Sequence, residues 1–213
     1  YAYAQGVTVP SVNFSMKSTT DPKEVVSAIQ IILLLTVLTL APAILILMTS
    51  FTRIIVIFSF LRQALGTQQM PPNQLLIGLS LFLTFFIMQP IFNKVNTEAL
   101  KPYMDGQITQ EVAMNKALAP MRKFMFSQTR PADLSMFLRL SKTKSPKTRA
   151  DVPTVVLVPS FVISELKTAF QIGFIIYLPF LVIDMVVASV LMALGMMMLP
   201  PIIISLPCKI MIF

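Results

Sequence analysis

Ala193-Leu194-Gly195-Met196-Met197-Met198-Leu199-Pro200-Pro201, followed by Ile202-Ile203-Ile204-Ser205-Leu206-Pro207, lies in a long uncharged region near the C-terminus. A glycine, consecutive methionines and a proline pair do not suit a plain lipid-facing helix, because proline lacks an N–H and disfavours helix in the residue before it. A helix break is therefore expected here, at Gly195 and at Pro200 and Pro201. Broken backbone at membrane depth is tolerated only where protein or a water-filled cavity covers the freed N–H and C=O groups. The stretch thus predicts a lumen with Met196, Met197 and Met198 beside it.

The composition sets this stretch in a membrane protein. Of the 213 residues, 55% are hydrophobic and 12% charged, against roughly 25% charged in average soluble domains. The chain has no His, no Trp and a single Cys, Cys208. That inventory removes the usual metal sites, Ser-His and Cys-His nucleophile pairs and any intramolecular disulfide, so neither an enzyme nor a cofactor is expected. The net charge of +8 carries no aromatic interleaving of the kind nucleic-acid modules use. Anionic lipid headgroups or acidic partners are its expected counterpart. Ala2 and Ala4 near the start fit an A-x-A type signal-peptide site.

Working outward, residues 154–213 form a C-terminal hydrophobic region interrupted by Glu165, Lys167, Asp184 and Lys209. Ionisable groups in membrane segments are costly and face a bundle interior, a cavity or an opposite charge. Glu165 and Lys167 are two apart and cannot pair on one helix face. Lys209 is the expected cation for Glu165, and Asp184 is expected to answer Arg53 or Arg62.

At the other end, residues 1–24 are polar, and Thr20-Asp21-Pro22 supplies a helix start. Residues 25–93 hold the N-terminal hydrophobic helices. The run 25–52 has no charge and exceeds the roughly 20 residues a membrane span needs, with Pro42 as a kink. Residues 63–74 read as a polar turn around Gly66, and 75–88 as an apolar segment short for a span.

Residues 94–153 carry eleven Lys or Arg against five Asp or Glu, which marks a small helical insertion outside the membrane. Thr109 caps a helix with Met114, Leu118, Met121 and Met125 on one face. A second helix starts at Pro131-Ala132-Asp133. An insertion this small has little room to bury every stripe, so Phe124 and Phe137 are candidates for an oligomer surface, against the plainer reading of local packing. Residues 142–149 form a basic linker. By the positive-inside rule they place the insertion in the cytoplasm.

Several long motifs carry a resemblance to one family. Val158-Pro159-Ser160-Phe161-Val162-Ile163-Ser164-Glu165-Leu166-Lys167-Thr168-Ala169-Phe170-Gln171-Ile172-Gly173-Phe174 resembles the signature of the FliP family of flagellar biosynthesis proteins. So do Tyr177-Leu178-Pro179-Phe180-Leu181-Val182-Ile183-Asp184, the Gly195 to Pro201 stretch, Met48-Thr49-Ser50-Phe51-Thr52-Arg53-Ile54, Arg62-Gln63-Ala64-Leu65-Gly66 and Met70-Pro71-Pro72-Asn73-Gln74. The resemblance runs from about residue 25 onward. It includes the matching component of virulence type III secretion systems, but Met197-Met198-Leu199-Pro200-Pro201 looks more like the flagellar branch.

The resemblance implies an all-α integral membrane protein of long, broken hydrophobic helix hairpins that assembles into a helical ring. It implies a core subunit of the flagellar export gate in the bacterial inner membrane, a homo-oligomer, by family a pentamer, built with FliQ and FliR. FlhB, FlhA, unfolded flagellar export substrates and membrane lipid are the further expected partners, and nucleic acid is not one. Met196, Met197 and Met198 would be its constriction, and Glu165 and Lys209 an inter-subunit charge pair. The family places the 94–153 insertion in the periplasm, and we follow it because the positive-inside rule weakens at about this loop length. Cys208 stands where a larger apolar residue is more usual, and family members continue into another apolar helix beyond Phe213. Two other classes fit less well. A small-solute transporter would show an inverted repeat, and an intramembrane hydrolase would need paired aspartates, HExxH or a Ser-His pair.

Overall fold

A computed structural model describes residues 22–67, 70–141, 146, 148–195 and 200–212. Among these residues the structure is all helical. The elements are α1 (Pro22–Leu47), α2 (Phe51–Leu65), α3 (Asn73–Val95), α4 (Lys101–Met104), α5 (Gln110–Gln128), α6 (Pro131–Leu140), α7 (Thr154–Ala193) and α8 (Pro201–Ile212). A π-helical turn, Asn96–Leu100, joins α3 to α4. The chain divides into two compact units, 1–42 and 43–213.

In the first unit, α1 begins at the expected Pro22 and continues through Pro42. It has no polar stripe, and the side chains of Ile32, Leu33, Leu34 and Leu38 are all exposed. A helix apolar on every side belongs in a core or in lipid. Its two threonine hydroxyls are satisfied internally, as lipid requires: Thr36 Oγ1 donates to Ile32 O at 2.8 Å and Thr39 Oγ1 to Leu35 O at 2.7 Å.

In the second unit α7 is the element against which α2, α5, α6 and α8 pack. The core gathers Met48, Met88, Met121, Met125, Val152, Leu157 and Phe161. It therefore draws on three helices, α3, α5 and α7, and two connections, and the unbranched methionines fill the irregular gaps between crossing helices.

Several boundaries differ from those read in the sequence. The uncharged run 25–52 is not one helix: it turns at Met48, Thr49 and Ser50, and α2 starts at Phe51. Helix α2 then runs to Leu65, through the start of the polar stretch, and stops at Gly66, whose φ of 73° is the left-handed conformation that glycine adopts without strain. The segment read as 75–88 is part of a 32-residue apolar helical span, Asn73–Met104. Its buried positions Leu76, Ser80, Thr84 and Met88 recur every fourth residue, and Ala99 follows beyond Pro90. Packing of that stripe carries the helix past the proline. The composition boundary at residue 94 thus falls inside a helix, and 94–153 shares its core with the flanking hydrophobic helices.

Candidate functional site: two buried charge clusters and a broken helix

Among the described residues, three helical stretches are long and apolar enough to cross a membrane: Ile29–Leu47, Asn73–Met104 and Thr154–Ala193. The last carries two ionic clusters, one near its middle and one near its end.

The first cluster forms where α2, the end of α5, the start of α6 and α7 meet. Glu165 is fully buried on α7. Arg53 on α2 donates from Nη2 to Glu165 Oε1 at 2.6 Å and to Gln128 Oε1 at 2.9 Å. A few residues along α7, Ser164 donates to Asp133 Oδ2 at 2.8 Å and accepts the backbone N–H of Arg130 at 3.0 Å. Lys167 Nζ makes a short ionic hydrogen bond to Asp133 Oδ1. The Arg130 side chain donates to Thr168 and Gln171. Ser164, Lys167, Thr168 and Gln171 share a face at helical spacing, so the α5–α6 turn is fastened to one strip of α7. Asp133 is buried, and the Lys167 ammonium bonded to it holds its carboxyl below the usual range, against the opposing effect of burial and with help from the Ser164 hydroxyl.

The second cluster ties the far side of the helix break. Lys209 on α8 is 2% exposed. Its Nζ donates to Asp184 Oδ2 at 2.7 Å and to Ala64 O at 3.0 Å. Ser205, one turn earlier on α8, donates to Asp184 Oδ1 at 2.6 Å. Ala64 O belongs to the last turn of α2, where carbonyls lack intrahelical partners and the helix dipole favours a cation.

The charge partners are therefore exchanged relative to the sequence reading. Within the chain Glu165 pairs with Arg53, not Lys209, and Asp184 pairs with Lys209, not with Arg53 or Arg62. Arg62 instead donates to Asn73 Oδ1 at 2.6 Å and to Pro71 O. The reason is placement along α7: Glu165 and Asp184 lie on the same long helix about five turns apart, roughly 28 Å at helical rise; the start of α2 lies beside the first, and α8 with the end of α2 beside the second. Two partners were missed altogether. Asp133 read only as a helix start, and Gln128 carried no signal. The need of Lys167 for a partner off its own helix was the one available clue.

The helix break lies where expected. Helix α7 ends at Ala193, Gly195 has φ 75°, and α8 starts at Pro201 after Pro200. Met196, Met197 and Met198 lie outside the described residues. Phe124 on α5 is half-buried and packs edge-on against Phe161 of the core at 5.8 Å between ring centroids. Phe137 is half-buried on α6. Among the described residues no group of three His, Cys, Asp or Glu could hold a metal ion.

Long apolar helices, one of them sewn to its neighbours by buried ion pairs and then broken at Gly195, define an all-α membrane protein. A sequence model of the FliP family matches residues 34–213. The chain is 58% identical over 196 residues to the flagellar biosynthetic protein FliP of Bacillus subtilis, covering 92% of this chain and 89% of that one. It is 57% identical over 186 residues to the protein of that name from Pectobacterium carotovorum (87% of this chain, 72% of the other) and 45% identical over 207 residues to that of Treponema pallidum (96% and 76%). The chain belongs to the FliP family.

Proposed function

We propose that this chain is a core subunit of the flagellar protein export gate, forming with further copies of itself a protein-conducting channel closed by Met196, Met197 and Met198. The observation that carries this reading is the break itself. A left-handed Gly195 and the Pro200-Pro201 pair bound a short connection, and the helices on both sides are held: α8 by Lys209 to α7 and α2, α7 by its packing. Methionine is flexible and polarizable, so a ring of these residues closes against ions and deforms around unfolded chains of differing sequence. One chain of this size is too small to enclose a polypeptide, so the constriction is shared among copies, a pentamer on the family pattern.

Glu165 Oε2, Arg53 Nε and Ser50 Oγ are buried without a partner in the chain. Asp184, Phe124 and Phe137 are the proposed inter-subunit contacts, whereas Lys209, buried against Asp184 and Ala64 O of its own chain, does not serve Glu165 of a neighbouring copy. FliQ, FliR, FlhB and FlhA are the proposed partners, and the bacterial inner membrane is the location, with 94–153 on the periplasmic side. The Met197-Met198-Leu199-Pro200-Pro201 run and the flagellar relatives favour the flagellar system over its virulence counterpart.

The test replaces Met196, Met197 and Met198 together by Ala and measures ion conductance across vesicles holding the assembled complex. Raised leak with assembly retained is expected; unchanged conductance overturns the proposed constriction.

A further inference from the structure

A cleft of about 540 Å³ opens where α5 faces the first residue of α7, away from both ionic clusters. Its wall includes Arg122, Lys123, Arg149, Asn115, Thr154 and Phe126. No acidic side chain is among the described residues lining it. The charge of Arg122 is held but not neutralised. Its guanidinium donates to Thr154 Oγ1 and to the carbonyls of Val152 at 2.7 Å, Arg149 at 3.3 Å and Ala150 at 3.4 Å, all neutral acceptors. Its carbon lies 5.6 Å from the centroid of the Phe126 ring, which also fixes its plane. Asp151, which follows Ala150 in the chain, accepts the backbone N–H and the hydroxyl of Thr148 through Oδ2. Lys123 and Arg149 are exposed at the rim, and no ion pair to any of the three cations is found among the described residues.

We propose that this cleft binds a phosphate group. Three cations converge there without a carboxylate, the central one pre-positioned by four hydrogen bonds, so little ordering is left to be done on binding. Asn115 and the Thr154 hydroxyl add neutral polar groups to the wall. The site also stands at the N-terminal end of the 40-residue α7, whose dipole favours an anion. A lipid headgroup beside the apolar α7 and a free phosphate present the same chemistry.

The test uses the full chain in detergent and three forms of it: wild type, Lys123→Ser with Arg149→Ser, and a charge-matched control, Lys116→Ser with Arg139→Ser, at exposed positions outside the cleft. Retention of phosphatidylglycerol against phosphatidylcholine of the same chains is read by native mass spectrometry, and binding of inorganic phosphate by phosphorus NMR line broadening. Arg122 is left intact because it also fastens the 149–152 backbone. For a headgroup site, the wild type and the control prefer phosphatidylglycerol, and the cleft variant loses that preference by about tenfold, the size expected for removing charged hydrogen-bond donors. For a free-phosphate site, the lipid preference is absent and line broadening is lost in the cleft variant alone. Equal behaviour of all three forms, or equal loss in the control, overturns the proposal.

Discussion

Gly173 sits where α7 crosses Phe60 of α2. A Cβ added there would lie 2.5 Å from Phe60 Cδ2 and 3.0 Å from its Cβ. The Phe60 ring is itself held edge-on against Phe170 at 5.4 Å, so the ring has little room to swing aside. Gly173→Ala is therefore expected to cost about 1–3 kcal/mol, the usual range for overpacking, read as a lower thermal midpoint in detergent, and Phe60→Leu in the same chain should return part of it. A midpoint unmoved by Gly173→Ala would mean that α2 and α7 slide apart freely. The pair Arg53 and Glu165 makes the opposite kind of test. Removing the cation leaves the buried Glu165 carboxylate without the cation that pairs with it, and breaking such a pair costs about 3–5 kcal/mol. Arg53→Met should thus lower the midpoint more than Arg53→Met with Glu165→Gln does; equal losses would show that the pair is not coupled. Neither contact was legible in the sequence, since residue type shows that a glycine or a buried acid needs something and not which distant residue supplies it.

For whole elements, sequence patterning was informative where a signal was local. Pro22 and Pro131 mark helix starts as read, because a first-turn proline acts within a few residues; Thr109 stands at the N-cap position of α5, but its side chain makes no capping hydrogen bond. It failed where packing overrides composition. Gln89-Pro90 and the charges from Lys94 onward looked like the end of an apolar segment, yet the buried stripe of α3 continues to Ala99. Helix α8 shows the same override, being held by Lys209 to partners on two other elements. Asp184→Asn and Lys209→Met should each loosen α8, seen as faster proteolysis beyond residue 200. The exchange Asp184→Lys with Lys209→Asp should restore protection, because both charges remain and trade ends. Failure of that exchange, with recovery instead on exchanging Glu165 and Lys209, would assign Lys209 to the other acid.

Across the molecule, the segment 94–153 stood out in the sequence by charge alone, and charge did not show that its inner face joins the common core. What fastens its α5–α6 turn to α7 is largely polar: Arg130 and Asp133 against Ser164, Lys167, Thr168 and Gln171. That attachment should respond to acid. The Asp133 carboxyl is held below its ordinary value in the folded chain, so as pH falls the unfolded chain takes up this proton first. The pair's stabilisation is complete above the ordinary carboxylate value, about pH 4, and is lost as pH falls through the depressed folded value. Lys167 is about half exposed, so solvent screens the pair and the effect is modest. Thermal midpoints of the wild type and of Asp133→Asn should therefore differ by a constant amount from about pH 7 to pH 5 and converge below about pH 4. Lys167→Met should narrow the gap at neutral pH as well, because it removes the group that lowers the carboxyl. A gap that persisted unchanged into strong acid would mean that Asp133 holds the turn through its hydrogen bond with Ser164 and not through its charge.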